Sequence, residues 1–396
     1  MDLTIKVFRN QFWMVVLAIL ALQLPAIYPV LDYVPVGYRW SVYSYWLVAC
    51  LGYSLIYQSK PCKRLTNIFD HWWPTLFMVT FMTVLNIIVY PIIDGRKEGL
   101  MGSDRDDAIM LVAQRLLAGE SPYHITTYLG NIPTSGPGIV LFLLPFAVFK
   151  CYSIYVPMLL VILAYLLHRR MERWVHVNLF LALLASSPLF WKLLISGSDL
   201  LGIGLIMSII VLLIDLKKGR YWQIGICVFV SMILTSRIIF IYLAPVYALL
   251  IVWKNSFQLT KWIGFTMIIS AGTVLIHFIF WVMDPHHYGP WSLLSLGGFL
   301  LNIKTLLIAA LICLVSIRLS VNIKPNIIEG SFLLWYWIYL ILLLIILAQY
   351  YSWGTGLHSY PFAYLGVQLP VFCLFFVLNH KEYFTSWVKP KLKSIH

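Results

Sequence analysis

Long apolar segments separated by short polar loops run along nearly the whole chain of 396 residues. Segments of about 17 to 22 apolar residues have the length that a helix needs to cross a bilayer. The pattern predicts an all-α polytopic transmembrane helical bundle that forms a single integral membrane domain over residues 1–396. We predict about twelve spans, at 12–30, 40–57, 72–93, 153–167, 177–190, 199–215, 221–235, 238–253, 262–282, 299–317, 331–349 and 360–379.

One further apolar piece, 132–149, decides the topology, because counting it as a span inverts every later loop. If it does not cross and the N-terminus is cytoplasmic, the inner loops hold 19 of the 28 Lys and Arg residues; if it crosses, they hold 9. Basic residues concentrate in cytoplasmic loops, which favours the first arrangement. The piece also contains residues that would interrupt a spanning helix, namely Pro133, Gly136, Pro137, Gly138 and Pro145. We therefore predict a re-entrant or membrane-surface segment on the outer face and two cytoplasmic termini.

Composition agrees with a membrane protein and narrows its partners. The mean hydropathy is +0.86, only 11% of residues are charged, and the formal net charge is +13. That charge is spread over short loops, as the positive-inside rule predicts, so we expect membrane lipids and not nucleic acid as the partner. The six cysteines lack the spacing of a metal site or disulfide framework, and no phosphate-binding loop or dinucleotide fingerprint is present.

Polar chemistry concentrates in the predicted outer loops. The largest extends over 94–149, and the next two are 283–298 and 350–359. Within the first, apolar residues at helical spacing predict a short amphipathic helix that lies along the membrane surface and ends at Gly119 and Pro122. Its apolar face consists of Ile109, Val112, Ala113, Leu116 and Leu117.

An acidic cluster, Ser103 to Asp107, stands immediately before this helix. Charge is costly beside hydrocarbon, so such a cluster is a candidate functional site. One carboxylate would act as a general base. Two alternative roles stay open: Ser103 or Asp104 caps the helix while Asp106 and Asp107 favour its positive end, or Asp104 and Asp106 bind a divalent cation.

The run SDRDDAIMLVAQRLLAGESPYHITTYLGNIPTSGPGIVLFLLPF resembles the first external loop of polytopic membrane glycosyltransferases of the GT-C superfamily. Further along, Ser196 to Asp199 and Arg237 fit the same order, so the resemblance covers roughly residues 90 to 300. It implies inverting transfer of a sugar from a polyprenyl-phosphate carrier to a hydroxyl of a lipid-linked or polymeric glycan, a lipid or a protein. It also implies an active site on the outer face, and we expect a bacterial inner membrane.

The resemblance and the outer-face chemistry together give a candidate site. Asp104 is the first choice for the base that the resemblance implies, and Asp106 and Asp107 remain candidates. A departing lipid phosphate needs cations, and the outer-face candidates are Arg237, His286, His287, Arg105 and Lys192. The candidates for contact with the sugars are Tyr123, His124, Tyr288, Trp291 and His358.

Purely structural roles stay open for these residues, and so do two further functions for the chain. Arg237 would snorkel from the end of a span, and the aromatic residues would belong to interfacial belts. His286 and His287 would be ordinary polar loop residues or would bind a metal ion together with Asp284, although adjacent histidines point apart on most backbones. A transporter or flippase of lipid-linked sugars would use the same outer acids, although we find no internal repeat and few charges inside the spans. A polymerase of lipid-linked repeat units is the closer enzymatic alternative, but its prominent outer loop is expected to be basic.

Overall fold

The structure is a computed structural model, and it describes residues 27, 30–31, 34–58, 69–95, 104–216, 219–253, 258–291, 331, 333–340 and 363–388. Every regular element in these ranges is helical, as the sequence predicts. The α-helices are α1 (Arg39–Gln58), α2 (Trp72–Asp94), α3 (Arg105–Leu117), α4 (Pro137–Val148), α5 (Tyr155–Met171), α6 (Trp174–Ala185), α7 (Pro188–Ile195), α8 (Asp199–Leu216), α9 (Arg220–Leu234), α10 (Ala244–Trp253), α11 (Leu259–Met283) and α12 (Leu365–Val388).

Four of the described segments are long and apolar enough to cross a membrane: α2, α5 with the 3₁₀ turn before it, α8 and α11. A fifth candidate is the bent pair α6 and α7. The predicted spans 12–30 and 299–317 lie almost wholly outside the described residues, and 331–349 lies partly outside them. The described helices therefore indicate an integral membrane protein, and the number of twelve spans stays a prediction.

Helix α8 lies at the centre of the described bundle. Some 83% of its most apolar window is buried, against 17% for α2 and 22% for α11. The two peripheral helices expose large apolar side chains such as Phe77, Ile88 and Phe278. Exposed apolar surface of this extent is the surface that lipid covers.

The predicted span 177–190 is not one straight helix. Helix α6 ends at Ala185, and α7 starts at Pro188 after a bend of 80°. Pro188 has no N–H, and its ring excludes the α conformation from the residue before it. Ser187 accordingly has an extended backbone, with φ −84° and ψ 121°. The sequence contained this signal in Pro188, which the hydropathy pattern alone ignores.

Within the described residues, the loops that the charge count assigns to the outer side meet at one end of the bundle, which we call the site end. Its members are Asp104 at the start of α3, the segment after α3, the α7–α8 connection, the α9–α10 connection, the turn after α11 and the start of α12. Hydrogen bonds between them include the one from the Gly136 N–H to the Ser236 carbonyl, at 3.0 Å. At the opposite end, the Arg173 guanidinium binds the Asp70 carboxylate at 2.7 Å.

Helix α4 begins and ends at the site end. The Gly138 N–H donates to the Thr235 hydroxyl at 2.7 Å, and just after the helix the Tyr152 hydroxyl donates to the Gly197 carbonyl at 2.8 Å. Twelve residues extend about 18 Å at the α-helical rise, short of the roughly 30 Å hydrocarbon core. A segment that does not cross the membrane must begin and end at the same end of the bundle, as α4 does.

Helix α3 has the predicted apolar face, but the face lies against protein. Ile109, Val112 and Ala113 are completely buried, and α3 packs against α4. Leu117, which we placed on the same face, is 51% exposed. The prediction that α3 lies along the membrane surface is therefore wrong for this face, because the sequence alone did not show that the segment 132–149 packs against it. This packing attaches the acidic cluster to the bundle.

Candidate active site

Three carboxylates meet where α2 ends and α3 begins. Oxygen atoms of Asp94, Asp106 and Asp107 all lie within 4.8 Å of one another. Asp106 is only 2% exposed and accepts a hydrogen bond of 2.6 Å from the Tyr90 hydroxyl. Tyr90 and Asp94 are four residues apart on α2 and therefore share a helix face. Carboxylate oxygens of this kind can bind a divalent cation or accept a hydrogen bond from a hydroxyl group of a substrate.

Asp104 is directed toward a different part of the site. It occupies the N-cap position of α3 but makes no side-chain capping hydrogen bond. Instead its Oδ2 accepts hydrogen bonds from the Thr127 hydroxyl at 2.8 Å and from the Asn131 amide at 2.9 Å. Asp104 is partly exposed. Asp104 therefore does not cap the helix through its side chain, and Ser103, the other proposed cap, lies outside the described residues. Asp106 and Asp107 do lie in the first helical turn, where the helix dipole favours negative charge.

Arg105 attaches the acidic segment to the rest of the site end. Its guanidinium is buried, donates to the Ser198 hydroxyl at 3.1 Å and lies 5.5 Å from the centre of the Tyr364 ring. A cation over an aromatic face is held by the ring quadrupole. Arg105, predicted to bind phosphate, therefore links α3 to the α7–α8 connection and to the start of α12.

The α7–α8 connection reaches the acids through Gly197. Its φ is +64°, which favours glycine. A Cβ at this position would lie 2.5 Å from the Tyr90 ring and 3.3 Å from the Asp106 Cβ. The Tyr155 hydroxyl holds the next residue by donating to the Ser198 carbonyl at 2.9 Å. Only glycine allows this connection to lie against Asp106.

We expect Gly197→Ala to destabilise the protein by about 2 to 4 kcal/mol, because it combines a left-handed backbone with overpacking. The matched control is Gly119→Ala, since Gly119 has φ +71° but no heavy atom within 4 Å of an added Cβ. The control should cost only about 1 kcal/mol. Thermal unfolding in detergent measures both, and equal losses would contradict the packing of Gly197 against Tyr90.

A buried ion pair connects α8 with the α9–α10 connection. The Arg237 guanidinium binds the Asp199 carboxylate at 2.7 Å, and their side chains are 4% and 0% exposed. Asp199 is also the first residue of α8, where the helix dipole favours an anion. Arg237 therefore lies at the site end, as predicted, but it already has an anionic partner there.

A second cluster joins the segment after α3 to the turn after α11. Ligand atoms of His124, Asp284 and His287 lie within 4.8 Å of one another. His287 Nδ1 is 2.9 Å from Asp284 Oδ1, and the Ser121 hydroxyl donates to Asp284 Oδ2. Burial raises the pKa of Asp284, but the hydrogen bonds from Ser121 and His287 outweigh it and leave this pKa below its ordinary value.

Tyr123 and Tyr288 form a buried aromatic pair beside this cluster. Their ring centroids are 5.0 Å apart in an edge-to-face arrangement. The Tyr123 hydroxyl donates to the Ser135 carbonyl at 2.9 Å, and the Tyr288 hydroxyl is 2.6 Å from His277 Nδ1. Burial raises the pKa of both phenols well above the ordinary value, so they remain protonated. Two rings predicted to contact sugar thus pack against each other.

An apolar cleft opens beside the acids, with a volume of roughly 390 Å³. Its polar groups are Lys192, Ser196, Ser41 and Tyr45. Lys192 and Ser196 are one turn apart, and Ser196 directly precedes Gly197. The cleft therefore has a mostly apolar lining with one cationic residue, and it adjoins the connection that contacts Asp106. Its lining is completed by Val30, Val34, Val42, Ile93, Pro188, Trp191 and Ile195.

All the candidate residues that the sequence predicted and the structure describes lie at the site end. His286 is exposed and is not part of the cluster around Asp284. Both His358 and the side chain of Trp291 lie outside the described part of the chain. The sequence prediction omitted Tyr90 and Asp94 from the site, although their spacing of four residues at the end of an apolar span was a detectable signal.

In comparisons with protein-family models, curated proteins and solved structures, no match to this chain was found.

Proposed function

We propose that the protein is a membrane glycosyltransferase that uses a polyprenyl-phosphate sugar as donor. The observation that carries this proposal is the convergence of four acids, a cationic apolar cleft and the α7–α8 connection at one end of a helical bundle. A lipid-linked donor needs an apolar surface for its chain and charged groups for its head. The resemblance of residues 90 to 300 to GT-C enzymes supports the same reaction.

Asp104 is the general base in this proposal. It takes the proton of an acceptor hydroxyl, whose oxygen forms a bond to the anomeric carbon of the sugar. The bond from that carbon to the phosphate oxygen breaks, the electron pair leaves with the polyprenyl phosphate, and the configuration inverts. Partial exposure of Asp104 and its fixed Oδ2 support this role, because a base must be both accessible and oriented.

The cleft binds the first part of the polyprenyl chain, and Lys192 interacts with the phosphate. The cleft is mostly apolar, and Lys192 is the cationic residue of its lining. A cation there stabilises the charge that develops on the leaving phosphate. The buried ion pair of Arg237 with Asp199 supports a positioning role for that arginine, because binding phosphate would compete with the carboxylate. His286, His287 and Arg105 stay predicted candidates for further contacts with the phosphate.

We expect Lys192→Met to raise the KM for the donor by about tenfold, because it removes one charge-assisted contact of about 1.5 kcal/mol and keeps the apolar stem. Lys261→Met is the matched control, since Lys261 is exposed near the start of α11, at the opposite end of the bundle. Steady-state transfer with a labelled donor measures both variants. An unchanged KM in Lys192→Met, or an equal rise in the control, would remove Lys192 from the donor site.

We place the site end on the outer face of a bacterial inner membrane. The support is the charge count of the sequence, because the loops predicted to lie on the inner side contain 19 of the 28 Lys and Arg residues. Reaction of a membrane-impermeant thiol reagent with a cysteine introduced at exposed His286 tests the orientation. Labelling of intact cells is expected, whereas labelling only after the membrane is opened would reverse the topology.

Purified protein with a radiolabelled polyprenyl-phosphate sugar and a set of acceptors tests the function. Label covalently attached to an acceptor supports the glycosyltransferase. Label that only crosses the bilayer of reconstituted vesicles would replace it with a transporter or flippase. Growth of a ladder of lipid-linked oligomers would instead indicate a polymerase of repeat units.

A further inference from the structure

We propose that His124, Asp284 and His287 form a binding site for a divalent transition-metal ion, with Zn²⁺ as the reference ligand. Two imidazoles and one carboxylate are a common set of protein ligands for zinc, and three protein ligands leave one coordination position for water or another group. The three residues come from two segments 160 residues apart in the chain. This inference does not depend on the proposed glycosyl transfer.

The ligand atoms of Asp284 and His287 need little adjustment to bind one ion. All three lie within 4.8 Å of one another, and His287 Nδ1 is 2.9 Å from Asp284 Oδ1. Tetrahedral zinc with bonds of about 2.0 to 2.2 Å separates its ligand atoms by roughly 3.3 Å. An ion bound between these two atoms would therefore replace their hydrogen bond after a shift of a few tenths of an ångström.

His124 completes the set after a rotation. Its ring is stacked on that of His287, with centroids 3.8 Å apart and planes inclined by 10°. Parallel rings cannot both direct a nitrogen lone pair at one ion, so one ring must turn. His124 is exposed, so its ring can turn without displacing buried neighbours.

Asp284 has the surroundings of an oriented ligand. The carboxylate is largely buried, and buried charges in proteins are paired or bind metal ions. The Ser121 hydroxyl holds Oδ2, and the His287 backbone N–H donates to Oδ1 at 3.2 Å. Partners of this kind fix the orientation of a metal-binding carboxylate. A bound ion would lock the segment after α3 to the turn after α11, next to the buried pair of Tyr123 and Tyr288.

The test is zinc binding by the purified full-length protein, freed of tag histidines and treated with a chelator. Bound zinc, measured by mass spectrometry after titration, should reach one ion per chain. His124→Ala and Asp284→Asn should weaken binding by about 100-fold or more, because loss of a supporting residue alone weakens it by about 10- to 100-fold. His286→Ala is the matched control, because this neighbouring histidine is exposed and outside the cluster; it should bind zinc as the unmodified protein does.

Three results would overturn the proposal. They are absence of zinc from the unmodified protein, wild-type affinity in His124→Ala, and loss of zinc in His286→Ala. In the first case the cluster is a hydrogen-bonded contact only, and in the last the ligands are the adjacent histidines. Because His124 is exposed, its replacement should leave the fold intact, which unchanged thermal unfolding without zinc checks. No sugar donor enters the measurement, so its outcome is separate from that of the transfer assay.

Discussion

Asp104→Asn is expected to reduce sugar transfer by about 10²- to 10⁴-fold, the usual contribution of a general base. Asparagine has nearly the same shape, and its amide oxygen can still accept the hydrogen bonds from Thr127 and Asn131. Folding and donor binding should therefore remain. Single-turnover transfer from a labelled donor measures the chemical step, and donor binding is measured separately by equilibrium dialysis in detergent.

Two control variants distinguish a general base from a residue that only holds the loop in place. Thr127→Val and Asn131→Ala each remove one of the two hydrogen bonds to Oδ2 and leave the carboxylate in place. If Asp104 is the base, these variants lose much less activity than Asp104→Asn and keep the pH dependence of the unmodified protein. If either variant matches the loss of Asp104→Asn, the aspartate only holds the loop, and the base is one of the other acids. Asp106→Asn and Asp107→Asn then identify it, because each belongs to the separate group with Asp94.

Arg237→Gln is expected to destabilise the protein by about 3 to 5 kcal/mol, because it leaves the Asp199 carboxylate buried without its cation. The double variant Asp199→Asn with Arg237→Gln should recover much of this loss, since two neutral groups replace the uncompensated charge. Thermal or denaturant unfolding in detergent measures the single and double variants together. The same measurement must precede any kinetic interpretation of Arg237, because an unfolded variant also loses donor use.

An exposed ion pair provides the comparison. Arg115 and Glu120 approach to 3.2 Å, and Glu120 is 56% exposed. Glu120→Gln should change stability by less than about 1 kcal/mol, because water already screens that pair. Equal losses in Glu120→Gln and Arg237→Gln, or a double variant less stable than Arg237→Gln, would contradict the burial of the Asp199–Arg237 pair.

Local signals in the sequence were sufficient for most of the described helices and for the end of the bundle at which the described candidates lie. Apolar segments of membrane-spanning length predicted α2, α8 and α11 to within a few residues, because an apolar segment of that length in a bilayer must satisfy its backbone hydrogen bonds internally. The charge count grouped the loops that now contact one another at the site end. The sequence therefore predicted that residues such as Arg105 and Arg237 lie at the same end of the bundle. It did not predict which residues they contact there.

The contacts that each candidate residue makes within the site end depend on packing between distant segments. No local sequence pattern specifies this packing. Asp104 and Asp106 are two residues apart, yet one accepts from Asn131 and the other from Tyr90. On a helix, positions two residues apart face in different directions, so neighbours in the sequence separate in space. His287 likewise stacks on His124 and not on His286, because the turn after α11 lies against the segment after α3.

The sequence by itself determined the helical class, the membrane-spanning lengths and the concentration of polar chemistry at one end, because hydrophobic length and loop charge are local properties with direct physical consequences. Only the tertiary structure decided which acids form a group, that Arg237 is already paired with Asp199, and that His124 joins Asp284 and His287. These contacts connect residues from about 12 to 160 positions apart. They form only in the folded bundle, which brings the separate segments of the site end together.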